Sequence, residues 1–238
     1  MKVIAVIPAR YNSTRIKNKP LIQINGEPLI KLTYTSILKS ELFDKIYITT
    51  DSIKIKNLVQ SFGAECMMTS ETPKNGTERC AEMIKKLTPE LRDNDLIVNI
   101  QCDEPFIAKK DLIKIINLFQ EKITIGTLIS ELEDREISDK SVVKTIIDNK
   151  NYAIDFSRNS TFLDKNLTIH KHIGVYAYTK KVLLKIAKSK VTEREINESL
   201  EQLRWIKHNY QIKCGLIDNN LISINTENDL KKVQKKNS

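Results

Sequence analysis

Apolar and β-branched residues crowd the stretch Lys2–Ile7 and stop at Pro8. Such a run predicts a strand buried on both faces, and proline, which has no N–H for a ladder, predicts its end. The pattern then alternates. Pro28–Leu38 reads as a helix with Leu29, Leu32, Ile37 and Leu38 on its apolar side. Lys45–Thr50 reads as a strand, with Asp51 as N-cap of a helix through Phe62 and Gly63 as its C-cap. Glu65–Thr69 predicts a short strand. Cys80, Met83, Ile84 and Leu87 then recur at helical spacing, followed by a strand at Asp95–Ile100 and a helix at Lys109–Gln120. This rhythm predicts an α/β fold with a mostly parallel sheet and helices on both faces.

Beyond residue 130 the rhythm changes. Val142–Asp148, Tyr152–Phe156 and Ile173–Tyr178 read as strands with few long helices between them. Helices follow at Lys180–Lys188 and Glu193–Asn209, then strands at Ile212–Ile217 and Leu221–Ile224 and a C-terminal helix from Thr226. With no repeat, low-complexity segment or Pro/Gly linker, the expectation is one domain over residues 1–238. Residues 131–180 form an antiparallel insertion in it, as a small subdomain or a dimer surface.

Composition narrows the class. Hydrophobic residues make up 40% and charged residues 29%, as in ordinary soluble domains. No apolar run approaches the ~18–20 residues of a membrane span, and the N-terminus lacks the pattern of a signal peptide. The four cysteines, Cys66, Cys80, Cys102 and Cys214, have neither CxxC nor zinc spacing, which predicts reduced thiols and a cytoplasmic protein. The net charge of +9 is spread along the chain and concentrates only near Lys17–Lys19 and in the tail 231–236. Scattered charge without interleaved aromatics argues for an anionic small-molecule site and against a nucleic-acid surface.

Candidate chemistry begins behind the first strand. Residues 9–20 hold Arg10, Arg15, Lys17 and Lys19 with Ser13 and Thr14, and no acid. A loop at the carboxyl end of a first strand is where open α/β sheets bind ligands. Arg10, Ser13, Arg15 and Lys19 there suit phosphate oxygens, although a solvated basic turn fits the same residues. The loop is not a Walker A motif, and GxGxxG is absent. Asp103 and Glu104 leave the end of a strand expected in mid-sheet, where a carboxylate can hold Mg²⁺ against phosphates or cap the next helix. His170 and His172 stand two apart, but without a third ligand pattern zinc is rejected. Alternation puts His172, Gly174, Tyr176 and Tyr178 on one strand face.

Taken in order, these segments resemble the CMP-Kdo synthetase (3-deoxy-manno-octulosonate cytidylyltransferase) family. The matching pieces are Pro8-Ala9-Arg10-Tyr11, Ser13-Thr14-Arg15, Lys19-Pro20-Leu21, Asn25-Gly26 with Pro28, Thr49-Thr50-Asp51 and Gly76-Thr77-Glu78-Arg79. Further on come Asn99, Gln101 and Asp103-Glu104-Pro105, Phe156-Ser157-Arg158, His172 with Gly174-Val175-Tyr176, and Leu200-Glu201-Gln202-Leu203-Arg204. They cover nearly the whole chain. The resemblance implies a nucleotide-diphospho-sugar transferase-like, Rossmann-like fold and transfer of a cytidylyl group from CTP to Kdo, an acidic eight-carbon sugar, with release of pyrophosphate. It further implies Mg²⁺, a homodimer and a cytoplasmic role in lipopolysaccharide synthesis. The implied catalytic residues are Lys19, Asp103 and Arg15. Arg10, Ser13, Arg15, Lys19, Thr77, Arg79 and Gln101 are implied for the nucleotide. Arg158, His172, Tyr176, Glu201 and Gln202 are implied for the sugar, with His172 binding a hydroxyl or accepting a proton. The metal ligands would be Asp103 and Asn225.

Two positions depart from the family pattern. Cys102 stands where glycine is usual, which matters if the backbone there needs a positive φ. Asn225 stands where the family carries a second metal-binding aspartate, inside an otherwise matching Ile224–Leu230 segment. An amide oxygen still ligates Mg²⁺, with one negative charge fewer. The expectation is a metal held more weakly. Related enzymes that act on the 8-amino analogue of Kdo share a segment like Lys171–Tyr178, so the sugar stays open between Kdo, that analogue and another acidic sugar, with a low-activity nucleotide-binding relative as the further alternative.

Overall fold

A computed structural model describes residues 1–11, 16–159, 168–218 and 221–235. One twisted sheet forms its centre, with strands in the order β11-β7-β10-β6-β1-β4-β5. These are β1 (Val3–Ala9), β4 (Lys45–Thr50), β5 (Glu65–Met68), β6 (Leu96–Ile100), β7 (Ile125–Glu131), β10 (Ile169–Thr179) and β11 (Ile212–Leu216). The small hairpin β2 (Gln23–Ile24) and β3 (Glu27–Pro28) stands apart. β6-β1-β4-β5 run parallel, and β11 is parallel to β7. β10 is antiparallel to both its neighbours, β6 and β7. Its first residues, Ile169–Lys171, pair with β8 (Lys144–Ile147), which pairs in turn with β9 (Ala153–Ser157). The antiparallel strands therefore extend the main sheet.

Strand alternation divides the core into two layers. Ala5, Ile7, Val98, Ile100, Ile173 and Val175 face one layer. It is closed by α1 (Leu29–Leu38), α2 (Ile53–Ser61), α4 (Lys109–Asn117) and α9 (Glu227–Lys235). Ile4, Val6, Ile97, Tyr176 and Tyr178 face the other, closed by α3 (Gly76–Lys86), α6 (Lys180–Ile186) and α8 (Gln202–Lys207). Two short helices complete the set, α5 (Asp134–Ile137) and α7 (Glu193–Glu198). Among the described residues no helix is long and apolar enough to cross a membrane.

Several boundaries differ from expectation, each for a local reason. β1 runs through Pro8 to Ala9, because β6 pairs with it only as far as Val6 and only β4 flanks it beyond; proline is tolerated at such an edge. Asp51 caps nothing: Ser52 is the residue before α2, and the Asp51 carboxylate is drawn to Arg79. The Glu193–Asn209 helix is broken at Ser199, which takes a left-handed φ of 52°. Arg204 bridges that break by bonding Glu195 at 2.6 and 2.8 Å. Residues 221–224 pair with no strand and are held by side chains instead. β7, which contains Gly126, has no predicted counterpart.

Candidate active site

In an open α/β sheet the ligand crevice falls at the carboxyl ends of the strands, here where β1, β4 and β6 end. Lys19 sits in a 3-10 turn entered through Asn18, whose φ is 53°. The turn buries the lysine stem to 9% exposure and aims its ammonium at the turn after β6. There Lys19 Nζ meets Asp103 Oδ2 at 2.5 Å. The turn itself is closed by Glu104 N–H donating to the Gln101 carbonyl at 3.1 Å. Neither acid caps α4; that falls to Asp111, which accepts from the Ala108 N–H. Glu104 is buried, and its Oε1 accepts from Gly174 N–H at 3.1 Å and Ser223 Oγ at 2.7 Å. Burial, followed by the Asp103 charge, pushes its pKa up to about 7.

Cys102 does not take a positive φ. Its side chain is buried in the core, and its carbonyl accepts the Thr33 hydroxyl at 2.8 Å. The cysteine is therefore accommodated without backbone strain. Burial pushes its thiol far above the usual range, so it is inert as a nucleophile at neutral pH.

On the other side of Gln101 stands the start of α3. Asn75 caps this helix by accepting the Glu78 N–H at 2.9 Å. Gln101 Nε2 donates to Asn99 Oδ1 at 3.4 Å, and its side chain lies between two glycines. A Cβ at Gly76 would overlap Gln101 Nε2, and one at Gly174 would lie 3.3 Å from Gln101 Cγ. Thr77 is buried; its N–H donates to Glu201 Oε2 at 3.2 Å and its Oγ1 lies 3.2 Å from the Tyr178 hydroxyl.

Arg79, implied for the nucleotide, lies beneath the loop that follows β1. Only 3% exposed, its guanidinium donates to Asp51 at 2.7 Å, Thr69 at 2.5 Å and the Ser70 carbonyl at 3.2 Å. Asp51 accepts the Tyr11 N–H at 3.2 Å, so Arg79 braces the loop that follows β1 from below. Arg10 is exposed, and its Nη1 donates to the Lys74 carbonyl at 3.4 Å. Ser13 and Arg15 lie outside the described residues.

The residues expected to hold the sugar gather on β9, β10 and α8. Arg158 follows β9 and is fixed by carbonyls: its Nε donates to Glu198 at 2.9 Å, and its Nη1 to Lys140 and Ser141 at 3.2 and 3.1 Å. Sequence reading missed the supports of this arginine. Glu198 accepts the Arg158 N–H, and fully buried Lys144 donates to the carbonyls of Asp139, Val142 and Arg158. Lys144 gave no signal in the sequence beyond being a lysine in a strand.

His172 is 8% exposed. Thr127 Oγ1 lies 2.9 Å from its Nε2 and donates its one proton to the Val175 carbonyl at 2.8 Å. The hydroxyl therefore accepts from Nε2–H, which fixes the tautomer. Burial, and then the Arg158 cation, lower the His172 pKa to about 3. A neutral imidazole with Nε2–H committed is a poor proton acceptor at neutral pH, which leaves His172 the role of a fixed neutral group. Its ring tilts on Tyr176 at 5.3 Å, and Tyr176 packs edge-on to Trp205 at 5.0 Å. A register shift between Ile173 and Tyr176 interrupts the β10–β7 ladder, yet both rings keep the same face. Burial pushes the Glu201 pKa up to about 7 against the hydrogen bonds from Thr77. Gln202 is 1% exposed, and its Nε2 has no hydrogen-bond partner among the described residues.

The donor set fits a magnesium ion in part. The Ile224 N–H donates to the Asp103 carbonyl at 2.9 Å, which brings Asn225, the next residue, beside the turn that carries Asp103. One carboxylate and one amide oxygen leave room for the phosphates and waters that magnesium prefers. Among the described residues no three His, Cys, Asp or Glu side chains cluster as an all-protein metal cage.

This arrangement has full-length counterparts. The profile of the cytidylyltransferase family matches residues 4–213. The curated 3-deoxy-manno-octulosonate cytidylyltransferase of Parabacteroides distasonis is 37% identical over 248 residues, spanning 98% of this chain and 96% of that protein. The 8-amino-3,8-dideoxy-manno-octulosonate cytidylyltransferase of Shewanella frigidimarina is 37% identical over 241 residues, spanning 98% of each. A solved CMP:2-keto-3-deoxy-manno-octonic acid synthetase complexed with CTP superposes with a TM-score of 0.88 at 29% identity, covering 99% of this chain and 98% of that one. With its crevice at the ends of β1, β4 and β6 and this match along its length, the chain belongs to the cytidylyltransferase family.

Proposed function

We propose that the protein joins CTP to 3-deoxy-manno-octulosonate, giving the CMP-sugar and pyrophosphate for lipopolysaccharide synthesis in the cytoplasm. The observation that carries this reading is the Lys19–Asp103 pair at 2.5 Å in the crevice, within a chain similar over its full length to a CTP-bound synthetase. In the reaction the anomeric oxygen of the sugar bonds to the α-phosphorus as the bond from that phosphorus to the bridging β-phosphate oxygen breaks, and the hydroxyl proton passes to solvent or to the departing pyrophosphate. Such transfers depend on positioning and charge stabilisation. Lys19 offers a point charge to the triphosphate, and Arg10, Ser13 and Arg15 line the same loop. Asp103 and Asn225 would hold Mg²⁺, which when bound neutralises phosphate charge.

Thr77 and Gln101 flank the nucleotide, and Arg79 serves it through Asp51 and the loop. Arg158 faces the sugar carboxylate, with Glu201 and Gln202 for its hydroxyls. The buried, orphaned Nε2 of Gln202 supports that assignment. His172 and Tyr176 close the sugar side. A homodimer is part of the proposal: β9 pairs only with β8 among the described strands, and Ile154 on it and Ile196 on α7 are exposed. Relatives acting on 8-amino-3,8-dideoxy-manno-octulosonate match equally well, which keeps that sugar as the second reading. Pyrophosphate release is the test, with CTP and each sugar supplied singly and together. Release that requires both CTP and one of the two sugars is expected; CTP binding without turnover of either sugar would overturn the proposal.

A further inference from the structure

Glu104 has no part in the chemistry above, yet it is 3% exposed and makes two hydrogen bonds at the edge of the crevice. We propose that Glu104 is a positioning residue that clamps the segment 221–225 to the turn after β6 and so presents Asn225 beside Asp103. The inference rests on the metal reading of those two residues. Its basis is how that segment is held. Residues 221–224 have no strand partner, so their place is set by discrete contacts. Ser223 Oγ donates to Glu104 Oε1 at 2.7 Å, Lys171 Nζ donates to the Leu221 carbonyl at 2.9 Å, and Ile224 N–H donates to the Asp103 carbonyl at 2.9 Å. Ile224 is fully buried between them.

The same Oε1 accepts the Gly174 N–H at 3.1 Å. One carboxyl oxygen thus ties β10, the turn after β6 and the C-terminal segment together. Gly174 permits this approach, since a Cβ there would stand 3.0 Å from Oε1. Beyond the clamp, the Asn225 N–H bonds the Ser223 carbonyl and Asp229 Oδ2, both at 3.1 Å, fixing the residue at the head of α9. An amide attracts a divalent cation less than a carboxylate does, so the contribution of Asn225 depends on being held in place.

The test measures Mn²⁺ affinity by electron paramagnetic resonance on protein with CTP and no sugar, so turnover plays no part. Glu104→Ala is expected to weaken Mn²⁺ binding about 10–100-fold, as loss of an outer support of a metal site does. Glu104→Gln, whose amide oxygen accepts the same two bonds, is expected to stay close to the unsubstituted protein. Ser223→Ala removes one hydroxyl and is expected to weaken binding in the same direction; it keeps the test open if Glu104→Ala fails to fold. Unchanged affinity in Glu104→Ala or Ser223→Ala overturns the clamp. Glu104→Gln as weak as Glu104→Ala overturns it also, since charge and not geometry would then be the cause. Absence of Mn²⁺ binding by the unsubstituted protein with CTP overturns the metal reading, and the clamp with it.

Discussion

The two halves of the crevice handle polar groups in opposite ways. On the nucleotide side, around β1, β4 and α3, charged side chains are matched by opposite charges, Lys19 with Asp103 and Arg79 with Asp51. On the sugar side, around β10 and α8, two residues proposed for the sugar are buried and driven toward neutrality, His172 down to about 3 and Glu201 up to about 7. Arg158, the cation proposed for the sugar carboxylate, is held by main-chain carbonyls. The contrast follows from the ligands proposed. A triphosphate brings charge and can take over one member of an ion pair, whereas sugar hydroxyls need fixed neutral donors and acceptors.

The contrast is broken most sharply at Lys19. Lys19→Ala should remove the charge that meets the triphosphate and lower the CTP- and sugar-dependent rate of pyrophosphate release about 10²–10³-fold. His172→Gln, which changes a neutral group, should cost far less. Comparable losses in the two variants would remove the distinction between the halves.

Arg79 carries the next largest effect, and the measurement is stability. Removing one partner of a buried pair leaves a stranded charge and costs about 3–5 kcal/mol. Arg79→Met should therefore lower the denaturation midpoint strongly, and at temperatures where it stays folded its KM for CTP should rise more than its kcat falls. An unchanged midpoint would show that Asp51 is not dependent on the arginine.

Legibility in the sequence followed the same division. The parallel half was readable because strands buried on both faces leave continuous apolar runs and amphipathic helices leave period-3.6 traces, and β4 falls on its expected bounds, Lys45–Thr50. Lys19 and Asp103 stood out through the resemblance, since a basic turn and a helix cap fit the same residues, and their pairing across 84 positions left no trace in spacing. The rest depended on long-range partners. Arg79 carried no sign of its burial, which follows from Asp51, 28 positions away. Lys144 and Glu198 support Arg158 through contacts that no spacing announces. The break at Ser199 overrides a helical pattern because Arg204 must reach back to Glu195.

The neutralised half makes a paired prediction about pH. His172 has a folded-state value near 3 against an ordinary value of 6.5, so the folded state binds fewer protons between them. That contribution to stability is present above 6.5 and is lost as pH falls toward 3. Glu201 runs the other way: with a folded value of about 7 against 4.5, its contribution is present below 4.5 and is lost as pH rises through 7. In thermal melts across pH 4 to 8, His172→Gln should flatten the acid-side fall and Glu201→Gln the fall toward neutral pH. Parallel curves for both variants and the unsubstituted protein would mean that neither group is neutralised by folding.

The smallest effect sits at the seam between the halves. Gly76 allows Gln101 to lie across the start of α3, and an added Cβ would overlap its Nε2 and come within 3.2 Å of Pro8 Cγ. The amide end of Gln101 can swing aside, so Gly76→Ala should change stability little, within the ~1 kcal/mol typical of a single helix position. The displaced amide would give up its bond to Asn99 and leave the place proposed for it beside the nucleotide. One hydrogen bond is worth about 0.5–1.5 kcal/mol, so the KM for CTP should rise up to about tenfold, with the KM for the sugar unchanged. A rise in the sugar KM alone would move Gln101 from the charged half of the crevice to the neutral one.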